Sequence, residues 1–239
     1  MNSNGKGGAL ILGLGIGLGL LALGLVLGQT ALNIKDYERT VTVKGLSERE
    51  YPADIVIWPI QFTEADNDLS SLYLSIEKNS EKIQKFLTAN GIAPEEISLG
   101  VPAITDKSAQ QYGGGQGAEF RYAAQQTVTV YSQNIEGVRQ VMARLSELGK
   151  EGIAITGANY QAQTEYLFTR LNEIKPDMVE EATRQAREVA EKFAADSQSS
   201  LGKIKRASQG QFSISSRDTN NPHIKKVRVV STVEYYLSD

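Results

Sequence analysis

The glycine-rich stretch GLGLLA, residues 17–22, satisfies the G-x-G-x-x-A form of the dinucleotide-binding fingerprint. That fingerprint requires a strand before the glycines, a helix after them and an acidic residue about 20 residues further on to hold the ribose. Asp36 and Glu38 lie near that distance, but no crossover helix precedes them. Apolar residues also continue on both sides of the glycines without a polar cap, so the pattern does not favour a nucleotide site.

A second glycine-rich stretch, DKSAQQYGGGQGAE at residues 106–119, contains four glycines and no apolar stripe. A phosphate-cradling loop needs a lysine and a helix directly after its glycines, and neither follows here. The composition therefore predicts a flexible loop that connects two strands as a hairpin.

The chain has few residues of the types that carry out acid–base or metal chemistry. His223 is the one histidine, follows TNNP in a loop, and has no histidine partner, so we expect an ordinary surface residue. The acidic stretch EADND, residues 64–68, lacks the oxygen spacing and turn glycine of a calcium loop, which predicts a capping or loop role. With no cysteine in the chain, disulfides, zinc ribbons and thiol nucleophiles are also excluded. We therefore assign no catalytic, cofactor-binding or metal-binding residue.

Three aromatic residues can be placed from the pattern of the strands that contain them. Trp58 stands beside Pro59 in an apolar strand, which predicts that it packs in a core. Tyr235 and Tyr236 are consecutive in the last predicted strand and so face opposite sides of the sheet. One of the two tyrosines is then available for a surface contact.

Residues 9–28 contain no charged and no polar side chain. About 20 apolar residues span the hydrocarbon core of a bilayer, and in lipid such a segment must be helical because its backbone has no water to bind. Three pairs of glycines are spaced four apart, which is the spacing that lets two membrane helices pack closely: Gly13 and Gly17, Gly15 and Gly19, and Gly24 and Gly28. Glycine is also common in membrane helices in general, so the spacing leaves self-association of the helix open.

A cleaved signal peptide is the alternative interpretation of this segment. Against it, the start is only weakly basic, the apolar run is longer than a usual signal core, and VLGQTALN is a poor cleavage site. We therefore expect a retained signal anchor. Under the positive-inside rule, Lys35 and Arg39 after the helix and Lys6 before it favour opposite orientations. The short leader favours the orientation in which the leader stays in the cytoplasm and the remainder of the chain is exported.

The sequence thus divides into a leader at residues 1–8, a transmembrane anchor at 9–28, a linker at 29–38 and one α+β domain at 39–239. After Asn33 the chain carries 24 Lys and Arg residues against 28 Asp and Glu residues, a formal charge near −4. A mildly acidic domain without a basic block does not bind nucleic acid through its phosphates, so we expect no nucleic-acid partner.

Hydrophobic periodicity predicts the order β-β-α-β-β-α-β-α-β-β after the anchor. Antiparallel strands joined by short turns, with three helices packed against the sheet or sheets, make an α+β fold. Pro59 interrupts the second strand and suggests an edge or a bulge there. The predicted strands are 39–47, 53–65, 95–105, 120–132, 152–164, 201–215 and 224–237, and the predicted helices are 68–90, 135–149 and 180–196.

The first part of the domain resembles the start of a SIMPL domain, which opens with R-x-(I/V)-T-V-x-G, a P/A-D strand, and a helix ending in GI before an acidic pair. The segment ATRQAREVAEKFAADSQSSLGKI is similar to the later A-x2-A-R-x2-A-x2-(Y/F/L)-A pattern and the LG that follows it. The residues that carry the resemblance are Arg39, Thr42, Val43, Gly45, Ala53, Asp54, Gly91, Ile92, Glu96, Ile97, Ala182, Ala186, Arg187, Ala190, Phe193, Ala194, Leu201 and Gly202.

The resemblance implies a bacterial envelope protein, periplasmic or membrane-anchored, associated with oxidative and other stress; some members assemble into rings. It implies no catalytic residue and no cofactor. This chain departs from the pattern in its glycine-rich anchor, and in ADSQSSLG, where the family often has A-x3-G-x2-LG, so we expect a different local turn.

Two hypotheses follow. The first is a non-enzymatic scaffold, anchored in the inner membrane with its main domain in the periplasm, that self-associates into a homo-oligomer. The alternative is a periplasmic domain that binds a small ligand or hydrolyses one with carboxylates. Nothing in the sequence identifies another protein partner.

Overall fold

A computed structural model describes residues 4–36, 39–109, 119–156 and 163–238. The fold is α+β with antiparallel sheets, as predicted. The helices are α1 (Asn4–Asp36), α2 (Leu69–Ala89), α3 (Ile135–Ala143), α4 (Ser146–Lys150) and α5 (Leu171–Asp196). The strands are β1 (Thr40–Pro52), β2 (Ile55–Asp66), β3 (Ile97–Leu99), β4 (Ala103–Asp106), β5 (Tyr122–Ser132), β6 (Ala154–Ile155), β7 (Glu165–Leu167), β8 (Ser200–Gln209), β9 (Ser213–Ser216) and β10 (Ile224–Ser238).

The chain divides into two compact units. The first unit consists of Met1–Glu48, Lys175–Ser213 and Arg228–Asp239, and the second unit consists of Arg49–Ile174 and Ile214–Val227. Each unit is described below by itself.

The second unit is built on a six-stranded sheet with β2 and β5 at its centre. These two strands pair antiparallel in continuous register from Val56 opposite Ser132 to Asp66 opposite Tyr122. β3 and β4 pair with the other side of β5, while β6 and β7 pair with the other side of β2. Alternate residues of the central strands are buried with α2 and α3 in one core, which includes Val56, Trp58, Ile60, Phe62, Leu72, Ile76, Ile83, Leu87, Val128, Val130, Val138 and Val141.

Pro59 lies in the central strand β2 and in unbroken register with β5, so the predicted bulge is wrong and β2 is not an edge strand of the sheet. Pro59 is opposite Thr129 in unbroken register with β5. On its other side, among the residues that the structure describes, β2 pairs with β7 over residues 55–57 and with β6 over residues 62 and 63. Proline has no N–H to donate to a ladder, and no described strand pairs with Pro59 on this side of β2.

The ends of α2 follow their local signals. The Asp68 carboxylate accepts a hydrogen bond from the Ser71 N–H at 2.8 Å and caps the first turn. At the other end Gly91 has a φ of 88°, and Ile92 is buried beside the last turn. Both features match the predicted boundaries of this helix.

The strand predicted over 95–105 is two short strands, β3 and β4, separated by a bulge. Leu99 is opposite Val128 and Ala103 is opposite Gln125, so three residues of one strand face two of β5. The Gly100 N–H donates to the Thr127 carbonyl at 2.8 Å and holds the start of the bulge. A bulge bends its strand and changes the direction of its side chains.

The second predicted helix begins where expected, since the Asn134 side chain accepts from the Gly137 N–H at 3.0 Å. It is then divided into α3 and α4 at Arg144 and Leu145. The Arg144 guanidinium pairs with Glu147 at 2.9 Å and also contacts the Asn90 side chain. The three predicted helices are therefore present as α2, the α3–α4 pair and α5.

The first unit contains the strand order β1-β10-β8, and β9 also pairs with β10. β10 is thus an interior strand, with β1 on one side and β8 on the other. The buried residues Val43, Ala186, Ala190, Val233 and Tyr235 form the core of this unit. Helix α5 begins at Leu171, earlier than the predicted residue 180, and contains Pro176 within it.

The alanines of α5 pack against the backbone of β1. Ala182, Ala186 and Ala190 are fully buried. A Cβ atom at Gly45 would overlap the Ala182 carbonyl oxygen and lie 2.5 Å from the Ala186 nitrogen. Strand and helix can approach this closely only because position 45 has no side chain.

The expectation of a different turn after α5 is wrong. Gln198, three residues before Leu201, adopts a φ of 56°, which is the left-handed conformation that a glycine usually takes after a helix. The Ser199 N–H donates to the Ala194 carbonyl at 2.8 Å, and the Gln198 N–H donates to the Ala195 carbonyl at 3.1 Å. These bonds satisfy the last carbonyls of the helix, so the turn is kept without its glycine.

Helix α1 contains a 19-residue stretch, Leu12–Thr30, that is long and apolar enough to cross a membrane. None of this stretch is buried. The Thr30 hydroxyl donates to the Val26 carbonyl at 2.8 Å, so the polar group at its end is satisfied within the helix. A single-pass anchor and a signal peptide both fit these properties.

Candidate functional site

His223 is more buried than an ordinary surface residue. Its ring lies beside that of Tyr166, with the centroids 6.0 Å apart, and its carbonyl accepts from the Ala53 N–H at 2.8 Å. Burial lowers the pKa of His223, and the positive charge of Arg139 lowers it further. The imidazole is therefore neutral near pH 7.

The acidic stretch at residues 64–68 begins in β2, which ends at Asp66, and its last residue has the capping role that the pattern predicts. Asp68 caps α2, and the Asp66 carboxylate accepts from the Asp68 N–H at 2.9 Å. That hydrogen bond is the main cause of the lowered pKa of Asp66. Glu64 accepts a hydrogen bond from the Asn79 side chain. Across the described residues, no group of three His, Asp or Glu side chains is placed to hold a metal ion.

The remaining sequence-predicted positions serve the structure. Trp58 is buried in the core, as expected, and Tyr235 is buried while Tyr236 is half-exposed. The Lys205 ammonium lies 5.8 Å from the centre of the Tyr236 ring. Residues 17–22 lie inside α1, which is helical from Asn4 onward, so the strand that a dinucleotide site requires does not precede them in the described residues. Most of the loop at 106–119 lies outside the described residues.

A groove of about 390 Å³ lies in the second unit, between α2 and the bulge that joins β3 to β4. One face of α2 supplies most of its wall, because residues three and four apart share a face of a helix. The groove is lined by Tyr73, Ile76, Glu77, Ser80, Glu81, Gln84, Leu99, Pro102 and Gln126.

Two hydrogen bonds made by buried side chains fix the floor of the groove. The Ser80 hydroxyl donates to Gln126 Oε1 at 2.7 Å, and Gln126 Nε2 donates to the Gly100 carbonyl at 2.8 Å. Ser80 and Gln126 are both buried, so each polar group has its partner inside the protein. The helix, the central strand and the bulge are thereby tied together at this point.

The lining of the groove combines apolar side chains with two carboxylates. Tyr73 and Leu99 are exposed beside it, while Glu77 and Glu81 are one helical turn apart on α2. Glu81 also pairs with Lys85 at 3.4 Å in an exposed ion pair. Among the described lining residues there is no Lys, Arg or His, so the groove is suited to binding a ligand with a positive charge.

The groove was not predicted from the sequence. Ser80 and Gln126 are 46 residues apart and meet only because α2 packs on β5. The one available signal was the polar positions 77, 80 and 84 on the helix face that also carries Ile76 and Ile83. That signal marks an exposed flank of any amphipathic helix and is not specific to a site.

Residues 41–234 match the SIMPL family, which is described as a protein of unknown function (DUF541). The chain belongs to the SIMPL family. The match begins in β1, ends in β10 and contains every residue that lines the groove. No curated protein matches the chain. The SIMPL description names no catalytic activity, and the family gives the groove no assigned role.

The SIMPL pattern residues have structural tasks in this chain. Gly45 admits the backbone of α5 at Ala182 and Ala186, so the two separated motifs meet in the first unit. In the second unit the Asp54 carboxylate accepts from the Thr169 N–H at 2.9 Å. Glu96 accepts from the Ala93 N–H at 3.0 Å. These motifs therefore specify packing and turns.

Proposed function

We propose that this SIMPL protein is a non-enzymatic component of a bacterial envelope, held in the inner membrane by one helix and self-associating as a scaffold or a stress-protective component. The exposed apolar stretch of α1 carries the proposal. A largely apolar helical stretch of 19 residues with no covering protein surface is stabilised by lipid, because transfer of its apolar side chains from water is favourable.

The proposed organisation has a leader at 1–8, an anchor at 9–28, a linker at 29–38 and a periplasmic SIMPL domain at 39–239. Extraction of cell membranes with alkaline carbonate tests it. We expect the protein in the membrane pellet, with a peptide that begins at or next to Met1 found by mass spectrometry. Release into the supernatant, or an amino terminus inside residues 9–38, contradicts a retained anchor.

Self-association is supported by two features of the described residues. β1 and β8 are the outer strands in the order β1-β10-β8. An unpaired edge of such a strand is a template for pairing with another chain. A Cβ atom added at any of six glycines of α1 would meet no atom within 4 Å outside the helix's own nearby backbone, which leaves these positions open to another helix: Gly13, Gly15, Gly17, Gly19, Gly24 and Gly28. Light scattering of the full-length protein in a neutral detergent should give a mass of two or more chains. A monomer at working concentration contradicts self-association.

The stress role rests on the family resemblance. A deletion strain should survive peroxide treatment less well than the wild type, and the full-length gene should restore survival. Equal survival of the deletion strain contradicts a protective role.

The groove beside α2 favours ligand binding as a second candidate function. Its buried polar floor is fixed by hydrogen bonds, and its volume of about 390 Å³ is that of a small-molecule site. A thermal-shift panel of envelope metabolites tests this function, with specific stabilisation by one compound as the expected result. Hydrolysis by carboxylates would use Glu77 and Glu81 as its pair, so turnover that survives replacement of both with Gln contradicts it.

A further inference from the structure

We propose that the groove between α2 and the β3–β4 bulge binds an extended, basic peptide segment of a partner protein. This inference rests on the ligand-binding candidate above and names the class of ligand.

The charge of the groove favours a cationic ligand. Glu77 and Glu81 are its two charged lining residues, and no cationic side chain lines it among the residues that the structure describes. Lys85 pairs with Glu81 at 3.4 Å, but this ion pair is exposed, so a ligand cation can compete for that carboxylate. Two carboxylates beside an apolar wall attract a group that brings positive charge and apolar surface together. Lys and Arg side chains have both, since their methylene stems pack on apolar surface while the charged ends stay in water.

The surface around the groove is larger than a small cation requires. Val101 is 91% exposed at the tip of the bulge, and Tyr73 and Leu99 are 51% and 47% exposed beside the groove. Large apolar residues that are exposed together mark a contact surface for another molecule. A peptide with apolar and basic residues covers both kinds of surface, whereas a simple polyamine leaves the apolar residues in water.

The edge of the sheet provides partners for a peptide backbone. β3 and β4 pair with β5 on one side, and no other described strand pairs with them. Extended peptides bind such edges by adding a strand, with main-chain hydrogen bonds for affinity and side-chain pockets for specificity.

The spacing of the groove residues matches an extended chain. Tyr73, Glu77 and Glu81 follow one another at intervals of four on α2, which places successive Cβ atoms about 5–6 Å apart. Alternate residues of a strand lie about 6.6 Å apart on one face. A peptide with an apolar residue and two lysines at alternate positions therefore presents each side chain to its counterpart on the helix.

The probe is the symmetric heptapeptide Leu-Ser-Lys-Ser-Lys-Ser-Leu, which presents the same pattern in either chain direction. The matched control is Leu-Lys-Lys-Ser-Ser-Ser-Leu, which has the same composition but directs its lysines to opposite faces. Binding is measured by fluorescence anisotropy of the labelled peptides on full-length protein in phosphatidylcholine nanodiscs, with empty discs as the blank.

We expect saturable binding of the alternating peptide, weaker binding of the control peptide, and loss of affinity as salt rises. Replacing both rim carboxylates (Glu77→Gln with Glu81→Gln) should weaken binding by roughly fivefold, because exposed charge pairs are individually modest. The matched double variant on α5, Glu180→Gln with Glu188→Gln, should bind as the wild type does.

Four results overturn the inference: no saturable binding, equal binding of the two peptides, wild-type affinity after the Glu77 and Glu81 replacements, or full displacement of the peptide by spermidine at equal affinity. If a compound of the thermal-shift panel stabilises the protein while the peptide does not bind, ligand binding stands and the peptide inference fails. Anchoring and self-association are measured separately and do not depend on either result.

Discussion

At the scale of single residues, His223 is the side chain whose surroundings most change its chemistry. Burial beside Tyr166 lowers its pKa below the ordinary 6.5, and Arg139 lowers it further. The unfolded chain, where His223 is solvated, binds a proton more readily than the folded chain. The free energy of unfolding therefore decreases as pH falls through about 6.5 toward the folded-state pKa of His223.

We predict that His223 titrates below pH 6.5 in the folded protein. Because it is the one histidine of the chain, its Cε1–H resonance can be followed without assignment. Arg139→Gln should raise this pKa by removing a positive charge, and His223→Gln should reduce the pH dependence of unfolding below pH 6.5. A pKa at or above 6.5 in the wild type would show that burial does not control this residue.

At the scale of elements, α2 and α5 are both followed by a residue in the left-handed conformation, but the residue types differ. Gly91 and Gln198 both follow a helix with positive φ, at 88° and 56°. A residue with a Cβ atom adopts this conformation at a cost of about 1 kcal/mol, whereas glycine adopts it freely. The end of α5 thus has strain that the end of α2 does not.

Gln198→Gly should raise the free energy of unfolding by about 0.5–1 kcal/mol, because glycine takes the left-handed conformation without strain. Gly91→Ala should lower it by a similar amount for the opposite reason. Urea unfolding followed by circular dichroism measures both variants. A loss of stability in Gln198→Gly would contradict the assignment of strain to this turn.

A substitution at Gly45, where β1 contacts α5, should change the free energy of unfolding more than the substitutions at the helix ends. Gly45→Ala places a Cβ atom on the Ala182 carbonyl oxygen, and backbone cannot move aside as a flexible side chain can. We expect a loss of about 3 kcal/mol in the free energy of unfolding, as for severe overpacking. Gly149→Ala in α4 is the control, because open space surrounds that position and alanine favours the helix by about 0.5–1 kcal/mol. Similar stability of the two variants would refute the close approach.

The elements that the sequence predicts well are those with local signals. Asp68, Gly91 and Asn134 set helix ends through bonds to residues a few positions away. The break at Arg144 depends in part on Asn90, which is distant in sequence, and the bulge at residues 100–102 depends on the register of β5. The groove depends on the same register, so neither periodicity nor capping patterns could predict it.

At the scale of the whole molecule, the absence of cysteine makes the proposed topology directly measurable. Each variant with one introduced cysteine has a unique reactive thiol. We predict that Ser238→Cys reacts with a membrane-impermeant maleimide in intact spheroplasts, whereas Ser3→Cys reacts only after lysis. Labelling in the reverse order would place the SIMPL domain in the cytoplasm. Equal labelling of both positions in intact spheroplasts would contradict a membrane-spanning anchor.

With α1 as the proposed anchor, the length of the segment after Thr30 would limit how far the SIMPL domain reaches from the bilayer. The helix continues six residues past Thr30 to Asp36, which adds about 9 Å. Thr40 begins β1 four residues later, at most about 14 Å further on. In the proposed anchored protein, a connection of this length would confine the encounters of the domain to a thin layer above the lipid. Molecules fixed in the same membrane would be effectively concentrated in that layer, and freely diffusing ones would not.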